Sequence, residues 1–379
     1  MNLNDEINAE AKRLGFLLIG ATSLQSPPHF SKYEAWLGRG FHGEMAYLAN
    51  DRVRQRRFDP QQILPEATSI LSLALPYEAP VREQTSPNDR STGRIAAYAW
   101  GPDYHEIIPQ RLERLVEQVE RLLGRSVHWR GYTDTGPILE RDFASLAGLG
   151  WIGKNTCLIH PRHGSFFFLA EILWDVDLEA DQPIHPDACG SCHRCIDACP
   201  TDCILPDRTL DARRCISYQT IENKGSIPAE LRPQLGNWVF GCDICQQVCP
   251  WNIRFASLHG DPAFAPHSES AISSLTAEIS LSPEQFNHKF RHSPVLRTHR
   301  RGYLRNVAVA IGNQHDPAAL PSLSQAFARE SEPLVRAHIA WAIGQSGGSA
   351  SRQVLEKTQA VETVENVRQE ISAALEALR

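Results

Sequence analysis

Apolar positions divide the chain into three stretches of different rhythm. Up to about residue 187, helical and strand patterns alternate. Residues 4–14 repeat apolar positions at helical spacing. The short apolar runs 16–21 and 69–75 predict strands, the second ended by Pro76. Residues 108–123 set apolar side chains three and four apart with Glu and Arg between them, and Gly124 predicts the stop. Residues 156–159 and 165–174 flank 161–164 and predict a β-hairpin turning at Gly164. This mixed order predicts an α/β sandwich over 1–187.

The middle stretch, 188–273, has little periodicity and holds nine of the ten cysteines. The last, 274–379, is helical and repeats itself. Leu304-Arg-Asn-Val-Ala-Val-Ala-Ile-Gly312 recurs as Val335-Arg-Ala-His-Ile-Ala-Trp-Ala-Ile-Gly344, with a weaker copy from Val367-Arg-Gln-Glu-Ile371. The equivalent arginines, Arg305, Arg336 and Arg368, lie 31 and 32 residues apart. That period predicts stacked helix pairs of the HEAT-like kind, each burying its neighbour's apolar face. The plainer alternative is an irregular helical bundle. The whole chain reads as α+β in three domains, 1–187, 188–273 and 274–379.

Composition narrows the class. The chain has 379 residues, 42% of them hydrophobic and 22% charged, as in an ordinary globular protein. A net charge of −6 gives no global field for polyanions, so a nucleic-acid site has to be a local basic patch. No apolar run reaches the roughly 18 residues of a membrane helix. The start Met-Asn-Leu-Asn-Asp-Glu lacks a basic and then apolar export signal. A cytoplasmic location is expected, where thiols bind metals more often than they pair.

The cysteines carry the sharpest signal. Cys189-x2-Cys192-x2-Cys195-x3-Cys199-Pro200 has the spacing of two-cluster ferredoxins, in which the fourth thiolate crosses to the other cluster. A second set, Cys242-x2-Cys245-x3-Cys249-Pro250, lacks its own first cysteine. The crossover rule assigns Cys189, Cys192, Cys195 and Cys249 to one four-iron cluster. Cys199, Cys242 and Cys245 then need a fourth ligand, and Cys215 is the candidate. A pair of zinc sites is the alternative, but zinc gives no reason for the third thiolate or for both Cys-Pro endings. Cys157 reads as core, and Cys203 as a weaker competitor for the second cluster. Two adjacent clusters conduct electrons, and the long flanks imply an enzyme with its own acceptor.

The first stretch holds the candidate acceptor site. Tyr132-Thr-Asp-Thr-Gly-Pro137 follows a predicted strand and places Asp134 beside a Gly-Pro turn. A carboxylate there suits proton donation; an Asx-turn or helix N-cap is the plainer reading. Glu140-Arg141-Asp142 follows. Gly148, Gly150 and Gly153 would let backbone approach a bulky cofactor closely. A strand follows them, so they are no dinucleotide fingerprint.

These segments carry a resemblance. Ile95-Ala-Ala-Tyr-Ala-Trp-Gly-Pro-Asp-Tyr-His105, Asp134-Thr-Gly-Pro137, the glycine stretch 148–156, the cysteine block, Cys215-Ile-Ser-Tyr-Gln-Thr-Ile-Glu222 and Gly241-Cys-Asp-Ile-Cys-Gln246 occur together and in this order. In that combination the chain resembles the epoxyqueuosine reductases, cobalamin- and iron–sulfur-dependent enzymes of tRNA modification, with reductive dehalogenases as distant relatives. The resemblance covers almost the whole chain. It implies an N-terminal cobalamin-binding sandwich, two [4Fe–4S] clusters, and removal of the epoxide oxygen from epoxyqueuosine at the tRNA wobble position. Asp134 matches the family's proposed acid. Asp103-Tyr-His105 lacks the glycine of the His-on cobalamin motif, so no histidine is expected on cobalt. Arg57, Asp134, Lys154, Asn155, His160 and Ser217 are carried over as cobalamin contacts. Each has an ordinary surface or turn role as its alternative.

Residues 282–307 set six cations against one acid, Glu284. Arg297, Arg300, Arg301 and Arg305 are candidates for tRNA phosphates, with Phe286, Phe290 and Tyr303 as candidate base-stacking rings. A solvated helix face is the alternative for such a charge run. Further expectations are a flavodoxin or ferredoxin as electron donor, no membrane partner and a monomer. Two rival functions remain: a cobalamin-dependent reductase of a small molecule, and a ferredoxin-type electron-transfer protein.

Overall fold

The computed structural model describes residues 3–80, 92–184, 187–266, 272 and 274–378. In chain order the first elements are α1 (Leu3–Arg13), β1 (Leu18–Ser23), α2 (Phe30–Gly38), α3 (Asp51–Phe58), β2 (Ser69–Pro76), β3 (Arg94–Ile95), α4 (Tyr104–Leu123) and β4 (Trp129–Tyr132). Then come α5 (Glu140–Leu146), β5 (Trp151–Ile152), β6 (Leu158–Ile159), β7 (Phe167–Trp174), α6 (Arg194–Asp197), α7 (Ile216–Ile221), β8 (Trp238–Phe240), α8 (Ile244–Gln247) and α9 (Pro250–Phe255). Helices fill the rest: α10 (Leu275–Glu278), α11 (Pro283–Lys289), α12 (His299–Gly312), α13 (Leu320–Arg329), α14 (Pro333–Ser346), α15 (Gly348–Val361) and α16 (Glu365–Ala377).

They form two compact units. One comprises Met1–Val81, Gly101–Arg213 and Asp243–Pro266; the other comprises Arg82–Trp100, Arg214–Cys242 and His267–Arg379. The cysteine-rich stretch contributes to both.

The first unit is built on an antiparallel sheet in the order β1-β2-β7-β4. Helix α5 packs on one face, burying Phe143 against Ile70 and Leu173 and Ala144 and Ala147 against Ala74. Helices α1 and α4 pack together, and α4 packs on β4 and β7. Covered on both faces, β2 and β7 are apolar almost throughout, which is why they read as runs rather than alternations. Helix α4 starts at Asp103, whose side chain accepts the His105 N–H, and ends at Gly124 with φ +64°.

The predicted hairpin is corrected. Strand β6 pairs with β5, and β7 pairs with β2 and β4. An isolated bridge, His160 to Gly164, lies in the segment between the two arms. The apolar β7 is drawn to the centre of the large sheet, where both its faces are buried.

In the second unit, α12, α14 and α16 pack in succession, with α13 and α15 beside them. Helices α12 and α14 are buried around most of their circumference, as inner members of a stack. The repeated Ile-Gly ending has a steric cause. A Cβ on Gly312 would lie 2.4 Å from the Trp341 ring, and one on Gly344 would lie 2.9 Å from Ala374 Cβ. Each glycine therefore admits the next inner helix. The repeat arginines diverge: Arg305 is buried, Arg336 pairs with Glu362, and Arg368 is exposed.

Candidate functional site

The site grows from the end of β4. Thr133 Oγ1 donates to the Leu169 carbonyl of β7 (2.8 Å) and anchors the strand end. Asp134 follows with φ +61°, a conformation that Asp tolerates better than most residues, and its carboxylate is about half exposed. It does not cap α5, whose N-cap position is Leu139. Its N–H donates to Glu140 Oε1 at 2.5 Å. Tyr104 Oη donates to Asp134 Oδ2 at 3.0 Å, and His105 Nε2 stands 3.4 Å from the same oxygen. His105 Nδ1 is 2.7 Å from Asp103 Oδ1, so the imidazole lies between two carboxylates.

Burial alone would lower the pKa of His105. The hydrogen bonds and charges of Asp103 and Asp134 outweigh it and push the pKa up to about 9. The ring of Tyr104 stacks on His105 (4.0 Å) and Phe168 (4.4 Å), which holds both side chains toward Asp134. Sequence reasoning singled out Asp134 and weighed His105 only as a cobalt ligand. The role of Tyr104 and His105 depends on α4 reaching β4, which no local pattern announces. Of the neighbouring polar run, Arg141 donates to the Thr156 carbonyl and the buried Asp142 takes His29 Nδ1 and N–H.

The carried-over cofactor contacts separate. Arg57 Nη1 donates to Tyr33 Oη (2.9 Å), its guanidinium lies over the Tyr33 ring, and its Nε is buried without a partner. Lys154 Nζ is spent on the carbonyls of Gly190 (2.7 Å) and Cys192 (2.9 Å), tying down the first cysteine loop. Asn155 is buried; it donates to the Cys245 carbonyl (3.5 Å) and accepts the Cys157 N–H. His160 accepts the Arg162 N–H, and burial, then the charges of His163 and Arg162, lower its pKa to about 4. Ser217 lies on α7 of the second unit, half-buried. The glycine expectation is corrected. Cβ atoms at Gly148, Gly150 and Gly153 would meet Gln182 O, Ile159 O and Ile159 Cδ1, so these glycines admit the chain's own atoms. Cobalamin presents a phosphate and many amides. The orphaned Arg57 Nε and the orphaned, buried Trp151 Nε1 are donors that fit such a group.

Burial, and then the charge of Cys189, push up the Cys195 thiol, and Cys192 N donates to the Cys189 carbonyl within the same loop; among the described residues, no three Cys, His, Asp or Glu side chains stand close enough together to hold a metal ion. Cys249 and Cys189 pack with Trp151, Ile159 and Trp251. Cys199 and Cys245 belong to the first unit, Cys215 and Cys242 to the second. Cys203 is buried with its sulfur 3.4 Å from Cys199 Sγ, whereas Cys157, expected in the core, is half-buried.

The basic segment needs two corrections. Arg305 is buried, and its guanidinium donates to the carbonyls of Gln219, Asn223 and Gly225; it is an internal brace and cannot reach phosphate. Phe286, Phe290 and Tyr303 are buried against one another, so they have no face for a base. Arg301 is exposed, Arg297 pairs with Glu222 (3.1 Å), and Arg300 pairs with Glu330 (2.7 Å).

Similarity to known proteins decides the family. The chain is 39% identical to the epoxyqueuosine reductase of Pseudomonas aeruginosa over 356 residues, covering 91% of this chain and 95% of that one. The chain belongs to the epoxyqueuosine reductase family. It is 42% identical to the Cyclobacterium marinum family member over 304 residues (79% and 94% covered) and 38% identical to the Escherichia coli one over 346 (90% and 89%). The family profile "Epoxyqueuosine reductase QueG, DUF1730" matches residues 57–135, a 4Fe-4S double cluster binding domain matches 188–252, and HEAT repeats match 295–376. Among solved structures, an epoxyqueuosine reductase with an epoxyqueuosine-modified tRNA-Tyr stem loop aligns with TM-score 0.90 at 32% identity, covering 99% of this chain and 98% of that one. A Bacillus subtilis family member, described with its aspartate catalytic loop swung out of the active site, aligns with TM-score 0.88 at 32% identity and covers 100% and 99%.

Proposed function

We propose that this chain reduces epoxyqueuosine to queuosine in tRNA, with Asp134 as the proton donor. The observation that carries the reading is the arrangement at Asp134, where one carboxylate oxygen meets Tyr104 Oη and stands beside a charged His105, in a chain of this family. The reaction breaks both epoxide C–O bonds, forms a C=C bond and releases the oxygen as water. It consumes two electrons and two protons. Cobalamin, when bound, supplies the low-valent cobalt chemistry, and two four-iron clusters supply electrons.

The chain's own residues orient the substrate and move protons. His105, protonated at neutral pH, hands a proton to the Asp134 carboxylate, which passes it to the departing oxygen, and Asp103 holds the imidazole in place. Tyr104 fixes the reacting carboxylate oxygen. Arg57 would hold the cobalamin phosphate or an amide through its orphaned Nε. Lys154, Asn155 and His160 act from behind, by shaping the loops beside the cofactor, and Ser217 remains a candidate contact. On spacing, Cys189, Cys192, Cys195 and Cys249 hold one cluster, and Cys199, Cys215, Cys242 and Cys245 the other.

Arg297, Arg300 and Arg301 form the proposed tRNA face, without Arg305. The relative solved with its modified stem loop supports tRNA as the partner. Among the described residues, no helix is long and apolar enough to cross a membrane. A cytoplasmic monomer receiving electrons from a flavodoxin or ferredoxin completes the proposal. The test is anaerobic conversion by the cluster-reconstituted protein with cobalamin, reductant and epoxyqueuosine-bearing tRNA. Loss of one oxygen from the nucleoside supports the reading. No conversion by protein with full iron and bound cobalamin overturns it in favour of a small-molecule substrate.

A further inference from the structure

The proposed mechanism leaves two acids of the first unit without work. Glu171 lies in the middle of β7, fully buried, and neither carboxylate oxygen has a hydrogen-bond partner. Across the sheet it stands in register with Ser72 of β2 and Tyr132 of β4, and Ser72 stands in register with Gly20 of β1. This polar row crosses the face that α5 covers. Ile70, Phe143 and Leu173 pack on one side of it, and Ala74, Ala144 and Ala147 on the other. Ser72 Oγ is likewise buried and unpartnered. A Cβ on Gly20 would lie 2.0 Å from the Ala147 carbonyl, so the chain at the end of α5 closes tightly over the row.

A lone ionised carboxylate in such a place is too costly to persist. Burial, and then the charge of Glu140, push the pKa of Glu171 well above the carboxylate range. Glu140 is the other acid. Its Oε1 accepts the N–H of Asp134, the residue with φ +61°. Burial first, then the Asp134 charge, push Glu140 up to about 7, against the opposing pull of the Asp134 N–H, Arg141 and Arg57. The groups facing the pair are Asp134 and Tyr132 from β4 and the turn after it, Arg57 from α3 and Arg141 on α5 itself. From β1 and β2, Gly20 and Ser72 lie in the row with Glu171.

We propose that Glu140 and Glu171 act as a positioning pair for the catalytic loop, Glu140 gripping the Asp134 N–H as an anion while Glu171 keeps the pair's one proton. Glu171 is fully buried with the partly exposed Glu140 beside it, and two neighbouring carboxyl groups so placed do not both ionise. The anion accepts an N–H more strongly than a neutral acid does, so the loop is held while Glu140 is charged and loosened once it is protonated. The pair works through Asp134, and so it rests on Asp134 being the donor.

The test uses the full-length, cluster-reconstituted protein. Infrared spectroscopy above about pH 8, where Glu140 is ionised, should show a protonated-carboxyl band that Glu171→Gln removes and Asp134→Ala retains. That readout needs no turnover, so it stands even if the tRNA reading fails. In single-turnover conversion, the wild-type rate should fall as pH drops below about 7. Glu140→Gln keeps an oxygen acceptor that does not titrate. It should abolish this acid limb with a loss of no more than about tenfold in rate. Glu140→Ala removes the acceptor and should cost about 100-fold in rate with the tRNA KM unchanged. A carboxyl band untouched by Glu171→Gln overturns the proposal, as does an acid limb surviving in Glu140→Gln. If Glu171→Gln does not fold, Glu140→Gln decides by its pH profile.

Discussion

At the residue scale, the same side chain does unlike work according to what surrounds it. Asp134 and Asp103 are both short acids beside helix starts, yet Asp103 caps α4 and holds His105, while Asp134 stands exposed beyond β4. Asp134→Ala should lower conversion by about 10²–10⁴-fold, the usual worth of a positioned acid, with cluster and cobalamin content unchanged. His105 has its folded pKa raised, so its ion pairing stabilises the fold fully below its ordinary value near 6.5 and fades as pH rises through about 9. Conversion by the wild type should decline over that upper range, and His105→Gln should remove the decline. A pH–rate series on both proteins checks this.

The arginines give the sharper contrast. Arg305 braces three backbone carbonyls from the interior, so Arg305→Met should cost about 3–5 kcal/mol in urea unfolding by stranding them. Arg301, four residues earlier and exposed, should tolerate reversal to Glu without a change in the unfolding midpoint.

At the element scale, the repeats depend on helices approaching closely. Gly312→Ala would drive a methyl group into the Trp341 ring and should destabilise the second unit by about 1–3 kcal/mol, read by thermal unfolding. The helical period was legible because three copies keep apolar residues at one spacing. What the inner helices do with their arginines was not legible, since burial depends on the neighbouring α7 and its following turn. Helices α1 and α4 and strands β1 and β2 were readable within a few residues from apolar runs and the Gly124 stop. The hairpin was misread because adjacent strands in sequence look alike whether they pair with each other or, like β6 and β7, with partners brought from elsewhere.

At the scale of the molecule, the charge balance confines tRNA contact to a local patch. Reversing Arg297 and Arg301 together to Glu should weaken tRNA binding and flatten its salt dependence by about two phosphates' worth, while iron content stays constant. Unchanged affinity at physiological salt moves the RNA site elsewhere. Cys189→Ser and Cys215→Ala should each lower iron content by about half if the two cysteines serve different clusters. A doubly substituted chain that keeps half its iron would place both on one cluster.

The sequence alone determined what depends on spacing and composition: two sets of cysteines with ferredoxin intervals, a helical repeat, a chain without long apolar spans, and a combination of motifs shared with one family. Those signals are local, or are simple counts, and survive without coordinates. Tertiary structure decided what depends on distant segments meeting. It placed Tyr104 and His105 at Asp134, put Glu171 in the dry face beneath α5, and withdrew Arg305 and three aromatic rings from solvent. Charge and aromaticity are properties of a residue, but exposure is a property of its surroundings. Only the folded chain shows whether a guanidinium is offered to a phosphate or already taken by its own backbone.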